Sequence, residues 1–267
     1  MEIIKILFFI IILISGSLSQ KVINLWNENV PYDNGEKAEL TIYLPDSKRS
    51  NGRAIVICPG GGYSYVSMVN EGTNWVQYFN QQGISIFLLK YRMPKGNRYV
   101  PISDAEEAIK IVRRNAKEWN INPQNVGIMG FSAGGHLAST IATHSKGEAK
   151  PDFHILFYPV ITMNPSYTHR GSMINFLGEN PKSKLIEEYS NDLKVSNETS
   201  RVFLALSNDD RTVPAVNGAN YYLQCNHHGV PASIHIYPTG GHGWGYKASF
   251  DFHLEVLREL KNWLNSF

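Results

Sequence analysis

Three short stretches of this 267-residue chain hold residue types that can carry out acyl chemistry. In "GFSAG", Gly130, Ser132 and Gly134 fit the G-x-S-x-G spacing, with a β-prone run before the serine and a helical pattern after it. Glycines on both sides matter because a serine at such a corner has a strained backbone and neighbouring strands approach it closely. A hydroxyl is a poor nucleophile until a base takes its proton and a third group orients that base. In this arrangement both partners follow the serine in the chain, acid then histidine, each at a strand end. The apolar run "RVFLALS" leads straight into Asp209 and Asp210, and "ASIHIYP" leads into a glycine-rich loop holding His242. Asp210 stands three residues before Val213, where the next helix approaches; Asp209 would then point back or cap locally. Asp210 is therefore the expected acid, since only one carboxylate accepts the imidazole N–H.

Acyl transfer also needs donors for the developing oxyanion, which backbone N–H groups provide without reorganising. "VICPGGG" places Gly60, Gly61 and Gly62 directly after an apolar strand, and Ala133 follows the serine. Gly61, Gly62 and Ala133 are the expected oxyanion donors. A spectator serine in a glycine turn, a loop histidine or a helix-capping aspartate would each be ordinary alone. Their occurrence together, at successive strand ends and in the required order, is not. The other histidines carry bland readings: His136 packs one turn into the helix, His227 and His228 are adjacent near a helix end, and His235 alternates within a strand. No His/Cys/Asp spacing resembles a metal site, and the glycines miss the dinucleotide pattern, so no cofactor is implied.

The elements needed to position these groups are legible as alternating strands and helices. "RAIVICP", "ISIFLLKY", "VGIMGF", "HILFYPVI" and "RVFLALS" are continuous apolar runs, as strands covered on both faces should be. "GTNWVQYFNQQG" predicts a helix closed by Gly83, with Trp75, Val76 and Phe79 on one side. Ile102 to Trp119 predicts another, its stripe drawn by Ala105, Ala108, Ile109, Val112 and Ala116, with Ser103 and Glu106 as a capping box. A last helix is expected near Ser249 to Leu264. The pattern predicts an α/β fold with a mostly parallel central sheet and helices on both faces. Antiparallel edge strands are expected before about Ser50, and a small polar insertion from Thr162 to Ser200.

Bulk properties narrow the function. A net charge of +2 without a basic cluster argues against nucleic acid. Residues 1–19 have a lysine near the start, an apolar run from Ile6 to Ile14 and then small residues. That is the layout of a signal peptide, too short to span a bilayer comfortably, where about 20 residues are needed. A secreted or periplasmic chain follows, not membrane-bound after cleavage, with residues 20–267 as one domain. Two cysteines, Cys58 and Cys225, are too few for a disulfide framework and are expected unpaired and buried.

"PGGGY", "GFSAGGHLA", "DDRTVP" and "GGHGWG", in that order, resemble the α/β-hydrolase fold. More narrowly they resemble the secreted bacterial acetyl-xylan-esterase-like group, also described as BD-FAE-like. The "INLWNENVP" opening and "IYPTGGHGWG" close are similar to that group as well. The resemblance implies a serine carboxylesterase removing short acyl groups, often acetyl, from carbohydrate, with no cofactor. It implies Ser132 as nucleophile, Asp210 as acid, His242 as base, and Ala133 with Gly61 or Gly62 as oxyanion hole. Many esterases have histidine before the three glycines where this chain has Pro59, which leaves open which glycine donates. Tyr63 and Trp244 flank the site in sequence and could stack on a sugar or simply pack. A prolyl-oligopeptidase-like peptidase, a lipase or formamidase, and a catalytically silent carbohydrate-binding relative are the competing readings.

Overall fold

Eight strands form one sheet in the order β1-β2-β4-β3-β5-β6-β7-β8. The computed structural model describes residues 20–267; the expected signal segment, residues 1–19, lies outside the described residues. The strands are β1 (Gln20–Asn24), β2 (Glu39–Tyr43), β3 (Ala54–Cys58), β4 (Ser85–Lys90), β5 (Val126–Phe131), β6 (Phe153–Phe157), β7 (Arg201–Ser207) and β8 (Ala232–Tyr237). β1 and β2 pair antiparallel, as does β2 with β4; every pair from β4 to β8 is parallel.

The parallel strands are apolar throughout because both faces are covered. In β3, Ala54, Val56 and Cys58 enter one core while Ile55 and Ile57 enter the other. Helices α2 (Tyr99–Arg114), α3 (Ser132–His144) and α6 (Val216–His227) contribute to the first core. Helices α1 (Val76–Asn80) and α7 (His253–Leu264) contribute to the second, through Val76, Phe79, Val256 and Leu260. Between β6 and β7 the expected insertion holds two short helices, α4 (Arg170–Leu177) and α5 (Ser183–Glu188). Among the described residues no helix is long and apolar enough to cross a membrane. Cys58 and Cys225 are both free and buried.

Helix α2 departs from the expected boundaries. It begins at Tyr99, so Pro101 lies in its first turn, where the missing N–H would have had no intrahelical partner anyway. The Ser103–Glu106 capping box does not form. Ser103 Oγ donates instead to Val100 O, and Glu106 accepts from Ser145 Oγ. The helix ends at Arg114 and passes through turns to Asn120, which sits at φ 53°. Its buried Asp104 pairs with the equally buried Arg92 at 2.7 Å and accepts from Trp26 Nε1, tying the segment after β4 to the antiparallel edge.

Candidate active site

β5 runs straight into α3 with Phe131 as the last extended residue and Ser132 at φ 51°, the left-handed region that side chains usually avoid. This strain presents Ser132 Oγ beyond the carboxyl end of the sheet. The flanking glycines permit it: a Cβ on Gly130 would come within 2.1 Å of Gly134 O, and one on Gly134 within 2.1 Å of Cys58 O. The amino end of α3 also aims its free N–H groups, Ala133 among them, at the same space.

The three groups expected from sequence meet there. Ser132 Oγ lies 2.9 Å from His242 Nε2, and His242 Nδ1–H donates to Asp210 Oδ2 at 2.7 Å. The other oxygen of Asp210 accepts from Thr212 N and Val213 N, both at 2.9 Å, so the carboxylate is held on two sides. Asp209 makes no local cap: it accepts from Gly241 N at 2.8 Å and so pins the loop that carries His242. With Nδ1 protonated toward Asp210, His242 Nε2 is free to accept the serine proton.

The glycine run after β3 lines the same cleft, which has a volume of about 480 Å³. Gly60 N–H is already committed to Glu71 Oε2 at 2.8 Å. That leaves Gly61 and Gly62, both lining the cleft, to face an oxyanion together with Ala133. Asn175 of α4 donates to Gly62 O at 2.8 Å, holding this loop from the insertion.

Two buried groups that no motif announced complete the frame. Tyr158, just past β6, donates to Glu71 Oε1 at 2.8 Å and accepts from Gly245 N at 2.9 Å. Its ring meets that of His242 at 4.9 Å between centroids, at 64°. Glu71 and Tyr158 thus join the glycine loop to the histidine loop, and Asn70 adds a bond to Gly243 O. Burial pushes the Glu71 carboxyl above the usual carboxylate range, against the opposing bonds from Tyr158 and Gly60. The sequence held one signal for Tyr158, a polar residue at a strand end, but none linking it to Glu71.

Neither Tyr63 nor Trp244 is available to stack on a sugar, a correction to the expectation. Tyr63 is buried, stacked on Phe176 at 4.8 Å, with its hydroxyl donating to His136 Nδ1. Trp244 is buried against Phe250 at 4.2 Å and donates to Ser207 Oγ. An aromatic ring is solvent-accessible in the cleft at a position sequence reasoning passed over: Tyr65, 64% exposed. His169, also passed over, lines the cleft from the insertion. His136 packs as expected, fully buried between Tyr63 and Tyr189 O.

A family model described as BD-FAE matches residues 40–222. An acetylxylan esterase of Xylanibacter ruminicola is 48% identical over 234 residues, covering 86% of this chain and 48% of that protein. Endo-1,4-beta-xylanase B of Butyrivibrio fibrisolvens is 30% identical over 240 residues, covering 82% of this chain and 37% of the other. The chain thus spans about half, or less, of the length of these relatives. Among solved structures, an acetyl ester-xyloside bifunctional hydrolase from Caldicellulosiruptor lactoaceticus superposes with a TM-score of 0.86 at 34% identity, covering 92% of this chain and 96% of that one. A sugar hydrolase from Lactococcus lactis gives a TM-score of 0.76 at 26% identity, covering 92% and 97%.

Proposed function

The chain belongs to the BD-FAE family of α/β-hydrolases, and from that premise we propose that it is a serine carboxylesterase that removes short acyl groups, acetyl foremost, from carbohydrate such as xylan. The observation that carries this reading is the unbroken line of hydrogen bonds from Asp210 through His242 to Ser132 at the mouth of a 480 Å³ cleft. His242 takes the Ser132 proton as the hydroxyl attacks the ester carbonyl, and Asp210 stabilises the imidazolium. Ala133 with Gly61 or Gly62 receives the oxyanion. The alcohol leaves with the proton from His242, and water repeats the sequence on the acyl-enzyme.

Glycoside cleavage by paired carboxylates has less support. Among the described residues Glu71 is the one carboxylate lining the cleft, and both its oxygens are taken by Gly60 and Tyr158. Export is part of the proposal and rests on the N-terminal sequence.

The test is acetate release from acetylated xylan, alongside 4-nitrophenyl esters of increasing acyl length and a dipeptide amide. Acetyl esters are expected to be the best substrates, and Ser132→Ala to lower kcat by a factor of about 10⁴ or more. Faster cleavage of the amide, rates rising beyond butyrate, or full activity in Ser132→Ala would each overturn the reading.

A further inference from the structure

The catalytic groups account for the acyl half of an ester and leave the alcohol half without a partner. Among the cleft residues outside the catalytic set, two have side chains that bracket the Gly61–Gly62 pair. A Cβ placed on Gly62 would come within 3.5 Å of His169 Cε1, and one placed on Gly61 within 3.2 Å of Tyr65 Cδ2. Both side chains therefore stand beside the backbone that would face the oxyanion, where a leaving alcohol must pass.

The protonation of His169 is determined by its other role. It is the N-cap of α4, and its Nδ1 accepts from Ser172 N at 3.2 Å with Ser172 Oγ at 2.8 Å. A ring nitrogen that accepts a backbone N–H carries no proton, so the neutral imidazole bears its hydrogen on Nε2. Ser172 thus leaves His169 a single N–H donor, and the ring lines the cleft. Burial, and then the nearby His242, hold its titration below the ordinary histidine range, with Asp210 opposing, so the neutral donor form prevails at neutral pH. Tyr65 adds an exposed aromatic face in the same cleft. A fixed N–H donor beside an accessible ring is the pairing that recognises a pyranose: the ring covers the C–H face and the donor reads a hydroxyl or ring oxygen.

Resting on the esterase reading above, we infer that His169 and Tyr65 form the subsite for the sugar half of the ester, with His169 Nε2–H donating to a sugar oxygen and Tyr65 stacking on the sugar ring. They are specificity-determining residues and take no part in the proton transfers.

The experiment compares acetylated xylotriose with 4-nitrophenyl acetate, whose alcohol has no sugar face. His169→Asn keeps a side-chain acceptor at the helix start but loses the reach into the cleft. Tyr65→Ala removes the ring from an exposed position. Each variant is expected to lower the ratio of kcat/KM for the oligosaccharide to that for the aryl ester by about 3- to 10-fold, chiefly through KM. Thermal melting of each variant shows whether the fold is retained. Equal losses on both substrates, or an unchanged ratio, would overturn the subsite. So would a wild-type enzyme that cleaves the aryl ester but ignores the oligosaccharide. A wild-type enzyme that cleaves neither ester defeats the esterase reading itself, and the subsite falls with it.

Discussion

The nucleophile corner and the insertion between β6 and β7 face the same cleft but are held in place by different means. From Val126 to Ala142, through the end of β5 and most of α3, every residue is buried. The corner is fixed by backbone meeting backbone: Gly134 lies so close to the Cys58 carbonyl that no side chain fits between them. The insertion has no such constraint. Its helix α5 buries none of its residues; α4 packs Met173 and Phe176 into the core, and side-chain hydrogen bonds add to that hold. Asn191 Nδ2 reaches His136 O, Ser139 Oγ and Thr140 Oγ1 on α3, and Asn175 reaches Gly62 O. Contacts between backbones tolerate no substitution, whereas side-chain docking can be rewritten one residue at a time. On the proposed reading, the nucleophile rests on the first region, while the second contributes His169 to the alcohol side of the cleft.

The sharpest way to break this contrast is Gly134→Ala. The added methyl would lie 2.1 Å from Cys58 O and 2.4 Å from Pro59 O, both backbone atoms that move only if β3 and α3 part. The expected cost is about 3 kcal/mol or more of stability, with kcat down by about 100-fold in whatever folds. Urea unfolding and steady-state kinetics check both. A variant within 3-fold of wild type would show that the corner has slack.

That asymmetry also decides what could be read from the chain. β5 and β7 coincide with the runs "VGIMGF" and "RVFLALS", because a strand buried on both faces leaves a continuous apolar signature. The hydrogen-bonded line of Ser132, His242 and Asp210 was legible for a related reason, since its three residues sit where apolar runs end in glycine or acidic residues. Choosing Asp210 over Asp209 needed only the distance to the next helix. Tyr63 and Tyr65 were not separable. Both follow the glycines, and which ring turns inward depends on Phe176, more than a hundred residues away and in the insertion. Glu71 and Tyr158 meet across 87 positions with no shared motif. His169 sits in a polar stretch whose own pattern is that of a surface loop. Local chemistry was visible; contacts made across the insertion were not.

A milder change probes the insertion's hold on the oxyanion loop. Asn175→Ala removes the donor to Gly62 O while the Asn175 backbone carbonyl still accepts from Gly96 N. Loosening one wall of the hole is expected to lower kcat by about 3- to 10-fold, with KM for 4-nitrophenyl acetate little changed. Should kcat stay at the wild-type value, the loop would be positioned without help from α4, by Glu71 and its own turns.

A pH-dependent effect lies at the junction of the two regions, where α3 meets the insertion through His136. Its Nε2–H donates to Tyr189 O at 2.8 Å while Nδ1 accepts from Tyr63 at 2.9 Å, an arrangement only the neutral ring can make. Burial pushes the His136 pKa down to about 3 against the bond to Tyr189 O, and burial does the same for His154. The unfolded chain takes up these protons near pH 6.5 and the folded chain does not. Each histidine therefore contributes stability that is fully present above pH 6.5 and drains away as the pH falls toward 3. The slope approaches about 1.4 kcal/mol per pH unit for each. Glu71 and Asp192, whose carboxyls burial pushes up, act in the opposite sense, their contribution growing as acid is added. The histidine share is isolated by comparing wild type with His136→Gln in urea from pH 7.5 to 5. His136→Gln is expected to be less stable at pH 7.5 and to lose less on acidification. Parallel pH profiles would show that His136 titrates freely in the folded protein and that acid does not loosen this junction.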